Sequence, residues 1–202
     1  MATFSTAIAL TRLRLSGCSR LLLMVMSIFM LSLLSSAQAN TENRTSASAV
    51  SATSAWDAFL PTPKPVGEGQ FRRWGFLIYD ATLWSSNGQY KANEPFALRL
   101  SYARNVTRDQ IVDASIDQMR ELGVDVAQHP DWPDKLQRVF ADVNKGDSLT
   151  GIYMPGNGAV FFYNNQLTGQ VDEALAQAFF SIWLDPQTTE PDLRLSLLGL
   201  AQ

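Results

Sequence analysis

Between residues 96 and 104 the chain alternates with period two. Phe96, Leu98, Leu100 and Tyr102 fall on one face and Ala97, Arg99, Ser101 and Ala103 on the other, the pattern of a strand with one face in a core. Upstream, Phe71 to Trp84 is aromatic and branched on both alternating faces, which predicts one strand in a sheet covered on one side and partly on the other. Asn87-Gly88 marks a turn between the two. Downstream, Asn144-Lys145-Gly146-Asp147 turns the chain into Ser148–Tyr153. Pro155-Gly156-Asn157-Gly158 then leads to Ala159–Tyr163, and Asn164-Asn165 to Leu167–Val171, a meander of antiparallel hairpins.

Helical spacing takes over elsewhere. Thr107-Arg108-Asp109-Gln110 is a capping box, followed by Ile111, Ile116, Met119 and Leu122 and stopped by Gly123. A second helix starts near Asp131 with Pro133 in its first turn and runs through Leu136, Val139 and Phe140. Asp172 caps a third. Its end, with Phe179, Ile182 and Trp183, continues past the Pro186 break to Leu193, Leu197 and Leu198, a wide apolar face on two helices that must bury against the strands. Before all of these, Trp56 and Phe59 form an apolar anchor. Pro61, Pro63 and Pro65 predict an extended connection, and Gly67-Glu68-Gly69 a turn.

The first forty residues read differently. Arg12, Arg14 and Arg20 precede an uncharged apolar run from Leu21 to Leu34, and Ala37-Gln38-Ala39 supplies small residues around a cleavage position, the three-part pattern of a secretory signal. Fourteen apolar residues fall short of the roughly 20 that span hydrocarbon. The expectation is a signal peptide over 1–39 cleaved near Ala39, a flexible Ser/Ala-rich leader over 40–55, and a domain over 56–202 in the periplasm. Cys18, the only cysteine, leaves with the signal. So do three of the 16 basic residues and none of the 19 acidic ones, leaving 13 against 19 and a net charge of −6. That balance argues against a nucleic-acid partner. No stable membrane insertion is expected once the signal is removed.

Chemistry is sparse. His129 is the single histidine, so neither a transition-metal site nor any other cofactor is expected. No serine sits in a Gly-x-Ser-x-Gly elbow, and Gly67-Glu68-Gly69 lacks the rest of a phosphate loop. The polar groups on predicted strands are Arg73, Arg99, Arg104, Tyr79, Tyr102 and Tyr153. An arginine and a tyrosine at the mouth of an apolar cleft would hold a carboxylate or phenolate by charge-assisted hydrogen bonds, and Arg73, Tyr79, Arg99 and Tyr102 are the candidate ligand-binding set. Arg99, on the small-residue face of its strand, points either to solvent or to the floor of a cleft. Asp147 and Asp185 read as hydrogen-bonders of a turn and a helix end.

Gly75-Phe76-Leu77-Ile78-Tyr79-Asp80-Ala81-Thr82-Leu83-Trp84, Lys145-Gly146-Asp147, Ile182-Trp183-Leu184-Asp185-Pro186 and Pro191-Asp192-Leu193-Arg194 together resemble the bacterial chalcone isomerase-like proteins, exported relatives of plant chalcone isomerase and its fatty-acid-binding members. The resemblance implies an α+β, open-faced β-sandwich, a large antiparallel sheet with helices layered on one face. It also implies where the plant enzyme's catalytic groups would fall. Ile111 stands at its tyrosine, Gln118 at its asparagine, Trp74 at its first threonine and Ile182 at its second. The arginine shared by the enzyme and the fatty-acid-binding members falls near Thr62, where this chain has none. Losing those hydrogen-bond donors to Ile and Trp removes the stabilisation of developing charge.

The expected function is therefore non-catalytic binding of a small hydrophobic or amphipathic ligand, a fatty acid or an aromatic acid, between sheet and helices. Two alternatives stand beside it: an isomerase or intramolecular lyase with a rearranged site, in which Arg73 or Arg99 would converge with a tyrosine on one cavity, and a cell-envelope interaction module with a filled cleft and an exposed apolar patch.

Overall fold

The computed structural model describes residues 55, 56 and 58–201; the expected signal peptide over 1–39 and nearly all of the expected leader lie outside them. Six strands, β1 (Lys64–Arg73), β2 (Phe76–Ser85), β3 (Phe96–Tyr102), β4 (Ser148–Met154), β5 (Gly158–Tyr163) and β6 (Gln166–Val171), form one antiparallel sheet in sequence order. Four helices, α1 (Arg108–Glu121), α2 (Trp132–Val139), α3 (Glu173–Leu184) and α4 (Pro191–Leu197), lie on one face, with a short 3₁₀ turn at Val126–Gln128. This is the α+β, open-faced arrangement that the resemblance implies.

The period-two pattern of β3 decides which face is which. Phe96, Leu98, Leu100 and Tyr102 join the main core under the helices, with Ala81 and Leu83 of β2 and Phe161 of β5. Ala97 joins Ile152, Val160 and Phe162 on the opposite face, where Trp56 and Leu60 cover them. There Trp56 meets Trp84 edge to face at 6.1 Å, so the expected Trp56 anchor closes the back of the sheet. Thr107 and Gln110 form both bonds of the capping box at the start of α1. The largest contribution to the front core comes from α3, whose Leu175, Phe179, Phe180, Ile182 and Trp183 are all buried; full burial of each such side chain is worth about 1.5–3 kcal/mol.

Two expectations are corrected. The stretch Phe71–Trp84 is not one strand but a hairpin. Trp74 and Gly75 take φ values of 50° and 81°, forming a two-residue turn that pairs Arg73 with Phe76. Nor is Gly67-Glu68-Gly69 a turn: both glycines lie inside β1 because α4 packs onto them. A Cβ at Gly67 would collide with the Ser196 carbonyl oxygen, and one at Gly69 would come within 2.7 Å of Leu193. The glycines are there for close approach of a helix.

Smaller features follow the same logic. Asp147 anchors its turn by accepting from the Asn144 N–H, from Asn164 and from the Tyr163 hydroxyl, and these bonds hold its carboxyl down at about 2. Asp185 accepts from the Gln187 N–H just past α3. The strand expected to run to Arg104 ends at Tyr102, and His129 stacks on Trp132 at 4.0 Å.

Candidate ligand cavity

Sheet and helices do not close completely. A cavity of about 480 Å³ lies between β1–β5 and the helices α1 and α3. Its floor is apolar, with Leu98, Leu100, Leu149 and Phe161 from the sheet, and its roof is formed by Ile111 of α1 and by Phe179, Ile182 and Trp183 of α3. Its rim is polar and exposed: Arg73 on one side, Asp113, Asp117 and Glu121 of α1 on the other, and Glu190 before α4.

Tyr79 and Tyr102 line this space from adjacent, directly paired positions on β2 and β3, their rings 5.7 Å apart and edge to face. Phe71 stacks on Tyr79 at 5.0 Å from β1. The Trp183 indole donates to the Tyr79 hydroxyl at 3.0 Å, which fixes the phenol and leaves its own proton available to a ligand. The Tyr102 hydroxyl has no hydrogen-bond partner among the described residues, its backbone being bonded to Asp147 and Gly146. Burial pushes both phenols well above their ordinary range, so each is a neutral O–H donor at physiological pH.

Of the four candidate residues, Arg73, Tyr79 and Tyr102 line the cavity and Arg99 does not. Arg99 lies on the back of the sheet, level with Thr82 and Thr150. One guanidinium nitrogen donates to Ser148 Oγ at 3.1 Å, and its Nε is buried without a partner among the described residues. Tyr153 is tied to Glu173 by a 2.6 Å hydrogen bond outside this cavity, and Arg104 lies past the end of β3 with its guanidinium 4.6 Å above the Phe76 ring.

Of the positions to which the resemblance assigns the plant enzyme's groups, Ile111, Gln118 and Ile182 line the cavity, whereas Trp74 sits at the hairpin tip, 86% exposed. Arg73 brings a guanidinium although the family position near Thr62 carries none. Sequence reasoning missed Trp183 as a member of the polar site. The available signal was that a buried indole N–H needs an acceptor, and a strand tyrosine is a suitable one.

Burial raises the Glu190 carboxyl, and the Arg73 charge opposes that rise. Asp117 is paired with Arg120 at 2.6 Å. The acids of α1 disfavour an anionic head group on their side, so Arg73, with the two phenols behind it, marks the end of the cavity that suits one.

Residues 69–199 match the chalcone isomerase-like family. The chain belongs to it. This chalcone isomerase-like chain is 29% identical over 138 residues to an uncharacterized protein of Haemophilus influenzae, covering 67% of this chain and 68% of that protein. Its fold is similar to the crystal structure of an Arabidopsis thaliana fatty-acid binding protein, with a TM-score of 0.56 at 10% identity over 68% of this chain and 87% of that one. At that identity the likeness is one of fold.

No helix among the described residues is long and apolar enough to cross a membrane, and no cluster of His, Cys, Asp or Glu there could hold a metal ion.

Proposed function

We propose that this chalcone isomerase-like protein binds one small amphipathic acid, a fatty acid or an aromatic acid, and performs no chemistry on it. The observation that carries the reading is the open cavity of about 480 Å³ with an apolar floor and roof and with Arg73, Tyr79 and Tyr102 in its wall. Ligand cavities of roughly 300–1,000 Å³ built this way bury most of a small ligand and orient it through a few polar groups. The carboxylate would meet the Arg73 guanidinium and the two phenol protons, with its tail under Ile111 and Phe179. The fatty-acid binding named for the plant protein of similar fold supports the same reading.

Native mass spectrometry of the protein purified without detergent tests it. One fatty or aromatic acid per chain, lost in Ile111→Trp, which fills the cavity, is the expected result. An empty protein that takes up no acid from a panel of acyl and aromatic acids would sink the proposal.

The convergence of Arg73 with two tyrosines also favours an isomerase reading. In it the neutral phenols would act as hydrogen-bond donors to an enone, and cyclisation of a 2′-hydroxychalcone followed by its absorbance is the decisive assay. We place the protein's work in the periplasm after removal of residues 1–39. N-terminal sequencing of the exported chain, beginning at Asn40, checks that.

A further inference from the structure

The turn between β1 and β2 is built against local preference. Both of its residues are left-handed, Trp74 at φ 50° and Gly75 at φ 81°. The first position of such a turn favours Asn, Asp or Gly, and a bulky side chain there is strained. Burial does not offset that strain, because the Trp74 ring is 86% exposed and Phe76 beside it is 57% exposed.

Three arginines surround these rings. The Arg73 guanidinium lies 5.0 Å from the Trp74 ring centre and that of Arg104 lies 4.6 Å from the Phe76 ring centre, while Arg72 reaches Gln70 and the Gly75 carbonyl. None of the three is ion-paired among the described residues, where the ion pairs are Lys91–Glu94, Arg120–Asp117 and Lys135 with Asp131 and Asp172. Of the acids around the hairpin, Asp80 is engaged by Gln70, and Glu190 lines the cavity as Arg73 does.

We propose that this hairpin tip docks the protein on the surface of a bilayer containing anionic phospholipid, with Trp74 and Phe76 at the level of the head groups and Arg72, Arg73 and Arg104 on their phosphates. Exposed aromatic rings with arginines over their faces suit that boundary, since one side of each ring meets acyl carbon and the guanidinium meets phosphate. The rest of the domain is acidic, so the tip is the part of it that a negative surface attracts. Phe71 and Arg73 belong to both the hairpin and the cavity wall, which places the docked tip beside the cavity mouth. The docking stands whether or not the cavity takes an acid.

Sedimentation with vesicles of phosphatidylcholine mixed with phosphatidylglycerol, compared with phosphatidylcholine alone, tests it. The protein is expected to bind the anionic vesicles and to be released by salt. Trp74→Asn should weaken that partition about tenfold, and Arg72→Gln and Arg104→Gln about five-fold each. Because Asn suits the left-handed position, Trp74→Asn should melt no lower than the parent, so a loss of vesicle binding cannot be laid to unfolding. It should also leave uptake of a soluble fluorescent fatty acid into the cavity unchanged. All variants carry the same N-terminal residues, so whatever those add is common to them. Equal binding by Trp74→Asn and the parent overturns the proposal, and so does binding to neither vesicle, which would assign the tip to a protein partner.

Discussion

The two faces of the sheet each carry an arginine among apolar neighbours, and their fates differ. On the front, α1 and α3 leave a cavity about 480 Å³ in volume, and Arg73 stands at its rim with no ion-pair partner among the described residues. On the back, Trp56 and Leu60 close over Ile152 and Phe162 of the strands, and Arg99 is half-buried, with Ser148 accepting from it. What separates them is the covering layer. Two helices hold their backbones away from the sheet at the length of their side chains, whereas the Trp56–Leu60 segment lays its side chains directly onto it. A helical layer can leave a cavity of ligand size; a short segment packed flat leaves none.

Substitutions can break this contrast in turn. Phe162→Ala removes a side chain that is 2% exposed on the back face and should cost about 3–5 kcal/mol of stability, read as a lower melting temperature. Acid binding by the protein that remains folded should not change; if it does, the two faces are coupled through the sheet. Next in size is Arg73→Met, which should weaken binding of an amphipathic carboxylate by about 1.5–3 kcal/mol, the worth of a charge-assisted hydrogen bond. Arg99→Met should leave affinity untouched and stability level or slightly higher, since it removes a buried nitrogen that has no partner among the described residues. A loss of binding in Arg99→Met would place that arginine in the site after all.

The smallest effect concerns Glu190. Its carboxyl is raised by burial, so as pH falls through that raised value it becomes neutral and stops competing for Arg73. Affinity for an alkyl sulfonate, whose head group stays ionised, should therefore rise by about two- to three-fold towards mildly acid pH, and Glu190→Gln should show that higher affinity at neutral pH without the pH dependence. A flat profile in the parent would mean that Glu190 and Arg73 do not interact.

Much of this could be read from the residues. The alternation in β3 assigns Leu98, Leu100 and Tyr102 to the core. It also puts Arg99 on the face opposite Tyr102, so these two could not have shared one cavity while the strand stayed regular. The capping box of α1 and the β4–β6 meander are local devices and were legible for that reason. The β1–β2 turn was not, because its first residue is Trp where the turn's chemistry expects Asn, Asp or Gly. Gly67 and Gly69 misled in the opposite way: a glycine needed for a helix to approach looks, in sequence, like one needed for a bend. The Trp183–Tyr79 bond joins residues 104 positions apart, and no local pattern reports such a pair.

The seat of α4 on the two glycines of β1 has a consequence for how the domain assembles. The first strand of the sheet receives cover from α4, so their contact must close a loop of well over a hundred residues before that packing forms. Non-local closure of that kind slows folding and raises the share of time a chain spends open. Synthesis from the N-terminus cannot finish this domain early: until residues 191–197 emerge, β1 has its partner strand and nothing above it.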